Sequence, residues 1–240
     1  MKLDYDSMDP YTYSNRKNVQ YREKYLYDHW HPILLNLIKK NVRGKKVVDL
    51  GCGVGQYTAF IQEIADDVIG VDCSGRHLDF ASSHHKVKKT LKADAVNTKL
   101  PDKSFDLIFI IGLFEYVSHK KLMKEIKRLL RDNGKIIVGI PNYYSSHRFF
   151  SRLLCKLFKW SYYPKDIKPS NFLFFLKQEN FKVKKIISND GLVYLPNFLD
   201  QIFGRFVYPS IGYLIKKLNI KNPLSNMVVV IAELVNNKSK

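Results

Sequence analysis

The chain has 240 residues, 45% hydrophobic and 26% charged, which suits one large domain with a substantial core and excludes a disordered or fibrous chain. Forty Lys and Arg against 22 Asp and Glu leave a net charge of +18, so the expected partners are anionic: a membrane surface, nucleic acid or an acidic small molecule. No leader pattern opens MKLDYDSMDPYTYS, and the longest apolar stretch, Phe198 to Ile215, is broken by Asp200, Arg205 and Pro209; a cytoplasmic protein without a membrane span is expected.

Residues 1–44 read as an N-terminal helical extension, crowded with Tyr5, Tyr11, Tyr13, Tyr21, Tyr25 and Tyr27. Pro32 suits the first turn of a new helix through Ile33, Leu34, Leu37 and Ile38, which Gly44 ends. Residues 45–240 form the main domain. Val47 to Leu50, Val68 to Val71, a weaker run at Lys88 to Ala93, Phe105 to Ile111 and Lys135 to Ile140 are predicted strands. Helices are predicted between them, over about Gln56 to Ala65 and Gly75 to His84. A further helix runs from the N-cap Ser118 through Leu122, Ile126, Leu129 and Leu130 to a stop at Asn133-Gly134. Short unbroken apolar strands alternating with helices predict a doubly wound α/β fold, its mostly parallel sheet covered on both faces.

After Pro141-Asn142 the rhythm changes, and residues 141–225 or so supply cap elements. Ser145 to Trp160 is a predicted helix with Phe149, Phe150, Leu153, Leu154, Leu157 and Phe158 on one side and Arg148, Arg152, Lys156 and Lys159 on the other. A helix at Asn171 to Gln178, a strand at Phe181 to Ile187, a broken helix over Asn197 to Leu218 and a last strand at Met227 to Leu234 follow. Between Pro141 and Ser225 there are 14 Lys and Arg against 4 Asp and Glu, and 18 of the 32 aromatic residues, so basic and aromatic character coincide. Cys52, Cys73 and Cys155 form no Cys-x-x-Cys pair and no ligand spacing with His, so neither a disulfide framework nor a metal is expected.

Three acidic or glycine-rich points fall at predicted strand ends. Asp49-Leu50-Gly51-Cys52-Gly53-Val54-Gly55 places a glycine turn between the first strand and a helix, where a ligand can lie against bare backbone. A dinucleotide fingerprint needs one more residue before its third glycine, and the position after Gly55 is Gln56. Asp49 is awkward beside a pyrophosphate; it suits a cationic group, or it braces the turn. Asp72 closes the second strand, where a carboxylate can accept hydrogen bonds from both ribose hydroxyls. Asp94 closes the third, in reach of an adenine amino group. The carboxyl ends of parallel strands share one crevice, so these points would surround one adenosine-sized ligand.

VVDLGCGVGQYT, VIGVDCS, KADAVNTKLPDKSFDLIFIIGLFEYV and LLRDNGKIIVGIPN, in this order over residues 45 to 142, resemble the motifs of class I S-adenosylmethionine-dependent methyltransferases, in their small-molecule and quinone-type branch. ENFKVKKI and MVVVIAEL echo them more weakly. The resemblance implies a seven-stranded sheet of order 3-2-1-4-5-7-6 with the last strand antiparallel. It implies S-adenosylmethionine as cofactor, with Gly51, Cys52, Gly53 and Gly55 under its methionine part and Asp49 near the ammonium. Asp72 would hold the ribose, Cys73, Asp94 and Ala95 would border the adenine, and Ile111 and Gly112 would floor the site.

Relatives carry Glu-His where this chain has Glu115-Tyr116, so no histidine role transfers there. No Asn-Pro-Pro-Tyr or Asp-Pro-Pro-Tyr follows the fourth strand, which argues against methylation of nucleobase exocyclic amines by that motif. His147, beside Tyr143 and Tyr144, His119 and Glu115 are the candidates for taking a proton from, or orienting, an acceptor. The basic, aromatic region is expected to roof a pocket for a small-molecule acceptor; an anionic membrane surface comes second. RNA held by the same charges, with Trp160, Tyr162 and Tyr163 for stacking, and a non-catalytic cofactor-binding partner protein are the alternatives.

Overall fold

Runs of Val, Ile and Leu buried on both faces form the middle of a seven-stranded sheet. The computed structural model describes residues 9–12, 14, 21–159, 167–188 and 227–235. Its strands are β1 (Lys46–Leu50), β2 (Asp67–Asp72), β3 (Thr90–Lys92), β4 (Phe105–Ile111), β5 (Leu130–Pro141), β6 (Phe181–Ser188) and β7 (Met227–Leu234). They lie in the order β3-β2-β1-β4-β5-β7-β6. β1 to β5 pair in parallel, and β7 runs antiparallel to both β5 and β6. Order and strand sense are those that the resemblance implied.

From Tyr21 onward the helices are α1 (Tyr21–Asn41), α2 (Gln56–Gln62), α3 (Gly75–His84), α4 (His119–Leu129), α5 (Ser146–Phe158) and α6 (Pro169–Gln178). Side chains alternate across the strands and feed two cores. On one face Val48, Leu50, Ile108, Ile110 and Val138 meet Leu122, Ile126 and Leu129 of α4 and Phe172 and Leu176 of α6. On the other, Val47, Leu107, Phe109 and Ile137 meet Trp30, Leu34, Leu37 and Ile38 of α1 and Ile61 of α2. No helix among the described residues is long and apolar enough to cross a membrane.

Two departures from the sequence expectation have a clear packing cause. Pro32 lies inside α1, which runs unbroken from Tyr21 to Asn41, and does not open a new helix. Trp30, Leu34, Leu37 and Ile38 pack on the sheet on either side of it, and that burial outweighs the one hydrogen bond a proline cannot donate. α4 stops at Leu129, ahead of Asn133-Gly134, because Leu130 already pairs with Phe105 of β4. Residues 131–134 then form an irregularity, with Asn133 at φ 59°, before pairing resumes at Lys135 opposite Leu107. The broken helix expected over Asn197 to Leu218, and Trp160, Tyr162 and Tyr163, lie outside the described residues.

The β3–β4 connection is tied to α4 by a buried carboxylate. Glu125 accepts the Thr98 amide at 2.8 Å and its hydroxyl at 2.6 Å, and pairs with Arg128 at 2.7 Å. Arg128 reaches on to Asp102 and the Leu100 carbonyl. These bonds hold the Glu125 carboxyl down at about 2, although burial alone would raise it.

Candidate active site at the carboxyl edge of the sheet

Because β1 to β5 are parallel, their carboxyl ends bring Gly51, Asp72, Asp94, Gly112 and Asn142 to one edge of the sheet. The turn after β1 is built on left-handed backbone: φ is 74° at Gly51, 53° at Gly53 and 78° at Gly55. The amides of Gly51 and Cys52 both donate to the Val71 carbonyl, at 2.8 and 3.0 Å, which folds the turn over the end of β2. Asp72 clasps it from the other side. Its Oδ2 accepts the Gly53 amide and its Oδ1 the Ser74 amide, each at 2.9 Å. Ser74 in turn caps α3 by accepting the His77 amide.

Gly55 has a packing reason as well as a backbone one. A Cβ there would lie 2.6 Å from Cβ of Ala81 and 2.9 Å from Val87, so α3 can approach the turn only because the side chain is missing. At Gly51, by contrast, a Cβ would lie 3.2 Å from Leu113 Cδ1, which places the loop after β4 against the turn after β1.

Asp49 is buried, and its Oδ2 accepts the Thr58 hydroxyl of α2 at 2.6 Å. Burial pushes its carboxyl up to about 7; Thr58 pulls it down, and the negative charge of Asp72 pushes it further up. The Cys52 thiol is raised by burial first, then by Asp49 and Asp72. For both groups burial is the larger cause, and the neighbouring carboxylates add to it.

The remaining sites are more open. Cys73 and Asp94 are exposed, and Asp94 Oδ1 accepts the Val96 amide at 3.1 Å while Ala95 is buried beneath it. Gly112, at φ 69°, donates to the Gly139 carbonyl at 3.1 Å, and Ile111 packs where a Cβ on Gly139 would stand. Glu115 follows three residues later. It is only 6% exposed, its Oε2 has no hydrogen-bond partner among the described residues, and burial pushes its carboxyl up to about 7 against the pull of its own amide and of the Arg148 charge on α5. A Cβ on Gly112 would lie 3.7 Å from Glu115 Oε1, so the carboxyl sits beside the floor of the crevice.

His119 opens α4, with its ring edge-on to Phe114 at 5.6 Å and tilted against Phe175 of α6 at 6.2 Å. His147 is the second residue of α5, and its side chain lies outside the described ones. Sequence reasoning did not find Thr58 as the partner of Asp49, nor the Arg148 charge acting on Glu115. It also missed the cations on Tyr143, whose ring carries the Arg152 guanidinium at 4.0 Å and the Lys168 ammonium at 5.1 Å. A hydroxyl nine residues after Asp49 was the only available signal for the first; the other two join segments distant in the chain.

Residues 48–138 match the family described as "Methyltransferase domain". The chain is 27% identical to the ubiquinone biosynthesis O-methyltransferase of Pelagibacter ubique over 78% of its own length and 85% of that protein. It is 29% identical to the demethylmenaquinone methyltransferase of a Geobacillus strain, over 50% of this chain and 59% of that protein. The crystal structure of an S-adenosylmethionine-dependent methyltransferase from Archaeoglobus fulgidus superposes with a TM-score of 0.62 at 22% identity, over 94% of this chain and all of that one, which shows the shared fold. Residues 48–138 are a methyltransferase domain, and sequence and fold together support a class I S-adenosylmethionine-dependent methyltransferase.

The methyltransferase's own residues fit its cofactor. Asp49, Asp72 and Asp94 make the edge a set of carboxylate acceptors, two of them crowding each other's charge. A ligand with an ammonium, a sulfonium, two hydroxyls and an amine supplies positive charge and donors to such a set. A pyrophosphate would add repulsion.

Proposed function

We propose that this methyltransferase moves the methyl group of S-adenosylmethionine to a hydroxyl oxygen of a small, lipophilic acceptor, with an amine nitrogen as the variant acceptor atom. When bound, the cofactor supplies a sulfonium methyl that is already activated. The protein's task is then to hold the acceptor in line and keep water out. In this reading Asp72 takes the ribose hydroxyls, Asp94 the adenine amine, and Cys73 and Ala95 border the ring. Asp49 compensates the ammonium end through the turn of Gly51, Cys52, Gly53 and Gly55, and Ile111 and Gly112 form the floor.

Glu115 is the group we assign to the acceptor. A carboxyl poised at about 7, with one oxygen unpartnered and the crevice floor beside it, can take the hydroxyl proton as the oxygen–methyl bond forms and the sulfonium bond breaks. S-adenosylhomocysteine is the other product. His119, set among aromatic rings, is the weaker candidate.

Asp72 carries the reading. Its two oxygens already brace the turns on either side of the crevice, which presets the carboxylate where a ribose would meet it. The quinone-type relatives, and the aromatic residues gathered after β5, support a lipophilic ring as acceptor. The test is transfer from radiolabelled S-adenosylmethionine into small-molecule, lipid and RNA fractions of a cell extract. Label in the lipid or small-molecule fraction, abolished in Asp72→Asn, supports it. Label confined to RNA overturns the acceptor assignment.

A further inference from the structure

Along helix α5 the cations and the exposed apolar side chains occupy adjoining arcs. The positive charge of Arg148 acts on Glu115, and Arg152 donates to the Tyr143 carbonyl at 3.0 Å while stacking on the ring. The Arg152 bond ties the helix, which follows β5 in the chain, to the segment at the carboxyl end of that strand. Phe149, Leu153 and Leu157 recur at every fourth position and are 55%, 42% and 65% exposed. At roughly 100° per residue they span an arc of about 80°. Lys156 projects about 20° from the Phe149 edge of that arc, Lys159 follows as the left-handed cap of the helix, and both lysines are exposed. Three large apolar side chains in water, bordered by cations on a chain of net charge +18, are complementary to a surface that is apolar beneath and anionic above.

We infer that α5 is a docking element for an anionic lipid bilayer, with Phe149, Leu153 and Leu157 entering the headgroup region and Lys156 and Lys159 meeting lipid phosphates. Docking there brings the mouth beside Glu115 to the membrane, where a lipophilic acceptor resides. This partner deepens the proposed acceptor class and rests on that reading for its purpose, though bilayer binding itself does not require it.

The experiment is co-sedimentation of the whole chain with vesicles of phosphatidylcholine alone and of phosphatidylcholine mixed with phosphatidylglycerol. Binding to the mixed vesicles is expected, falling as salt is raised. Lys156→Gln with Lys159→Gln should weaken partitioning about thirty-fold, roughly five-fold for each charge removed. Phe149→Ser with Leu153→Ser and Leu157→Ser should abolish it. Circular dichroism and calorimetric binding of S-adenosylhomocysteine, unchanged in both variants, show that fold and cofactor site survive. Failure of the chain to sediment with the mixed vesicles at low salt overturns the inference, as does equal sedimentation of the serine variant. A dimer in solution that the serine substitutions convert to monomer also overturns it, since the face would then belong to a second copy. A lack of methyl transfer to any acceptor, with bilayer binding intact, would instead count against the function proposed above.

Discussion

Replacing Glu115 by Gln should stabilise the methyltransferase while disabling it. The carboxyl is 6% exposed, and burial moves its titration from 4.5 to about 7. A shift of about 2.5 units corresponds to about 3 kcal/mol between the ionised and neutral forms in the fold. The raised value means that the native state favours the protonated form. Stability is therefore fullest below pH 4.5, declines as pH rises, and levels off above about 7. Gln cannot ionise and escapes the decline, so its advantage over wild type should grow from about 1 kcal/mol at about pH 5 to about 3 kcal/mol at about pH 8. Transfer to the acceptor should fall by about a hundred-fold or more, the usual cost of losing a positioned proton acceptor. Urea denaturation at the two pH values reads the first effect, and single-turnover methyl transfer reads the second. A stability difference that does not change between these pH values would refute the unpartnered burial of Glu115. Undiminished transfer would refute its role.

Gly55→Ala forces a side chain onto backbone at φ 78° and into a 2.6 Å approach to Ala81; about 3 kcal/mol of stability should be lost, read as a fall of about 10 °C in Tm. Thr58→Val removes the hydroxyl that holds the Asp49 carboxyl down, so titration moves further above 7 and a loss of about 1–3 kcal/mol should appear above about pH 7 in chemical denaturation, with little change at about pH 5. Glu125 behaves in the opposite sense, its carboxyl being held at about 2. Its contribution is present above 4.5 and lost as pH falls through about 2, so Glu125→Gln should cost about 2–3 kcal/mol at neutral pH and progressively less in acid titration below about pH 4.

Element order was legible because strands buried on both faces cannot hide their Val and Ile runs. α3 and β7 begin and end at the residues expected from pattern alone. Where local rules failed, tertiary packing decided. Pro32 reads as a helix start until the flanking residues of α1 are seen pressed on the sheet, and Asn133-Gly134 reads as a helix stop until Leu130 is seen paired with β4. The candidate site divides similarly. Asp72 and the three glycines stand at chain positions that the fold makes neighbours, so spacing sufficed to bring them together. Gly55 was found for the wrong part of its reason, since its contact with Ala81 comes from a helix outside the motif. Nothing in the segment around Glu115 reveals that its carboxyl is buried with the Arg148 charge acting on it from α5, because burial is a property of the cap's placement.

Calorimetric titration of S-adenosylhomocysteine into wild type and Asp72→Asn puts the crevice to the sharpest trial. The account predicts saturable heat with wild type, a loss of affinity of about ten- to a hundred-fold in the Asn variant with its fold intact, and no heat from a nicotinamide dinucleotide. Equal affinity in the two proteins, or binding of the dinucleotide in place of the adenosyl compound, would contradict it.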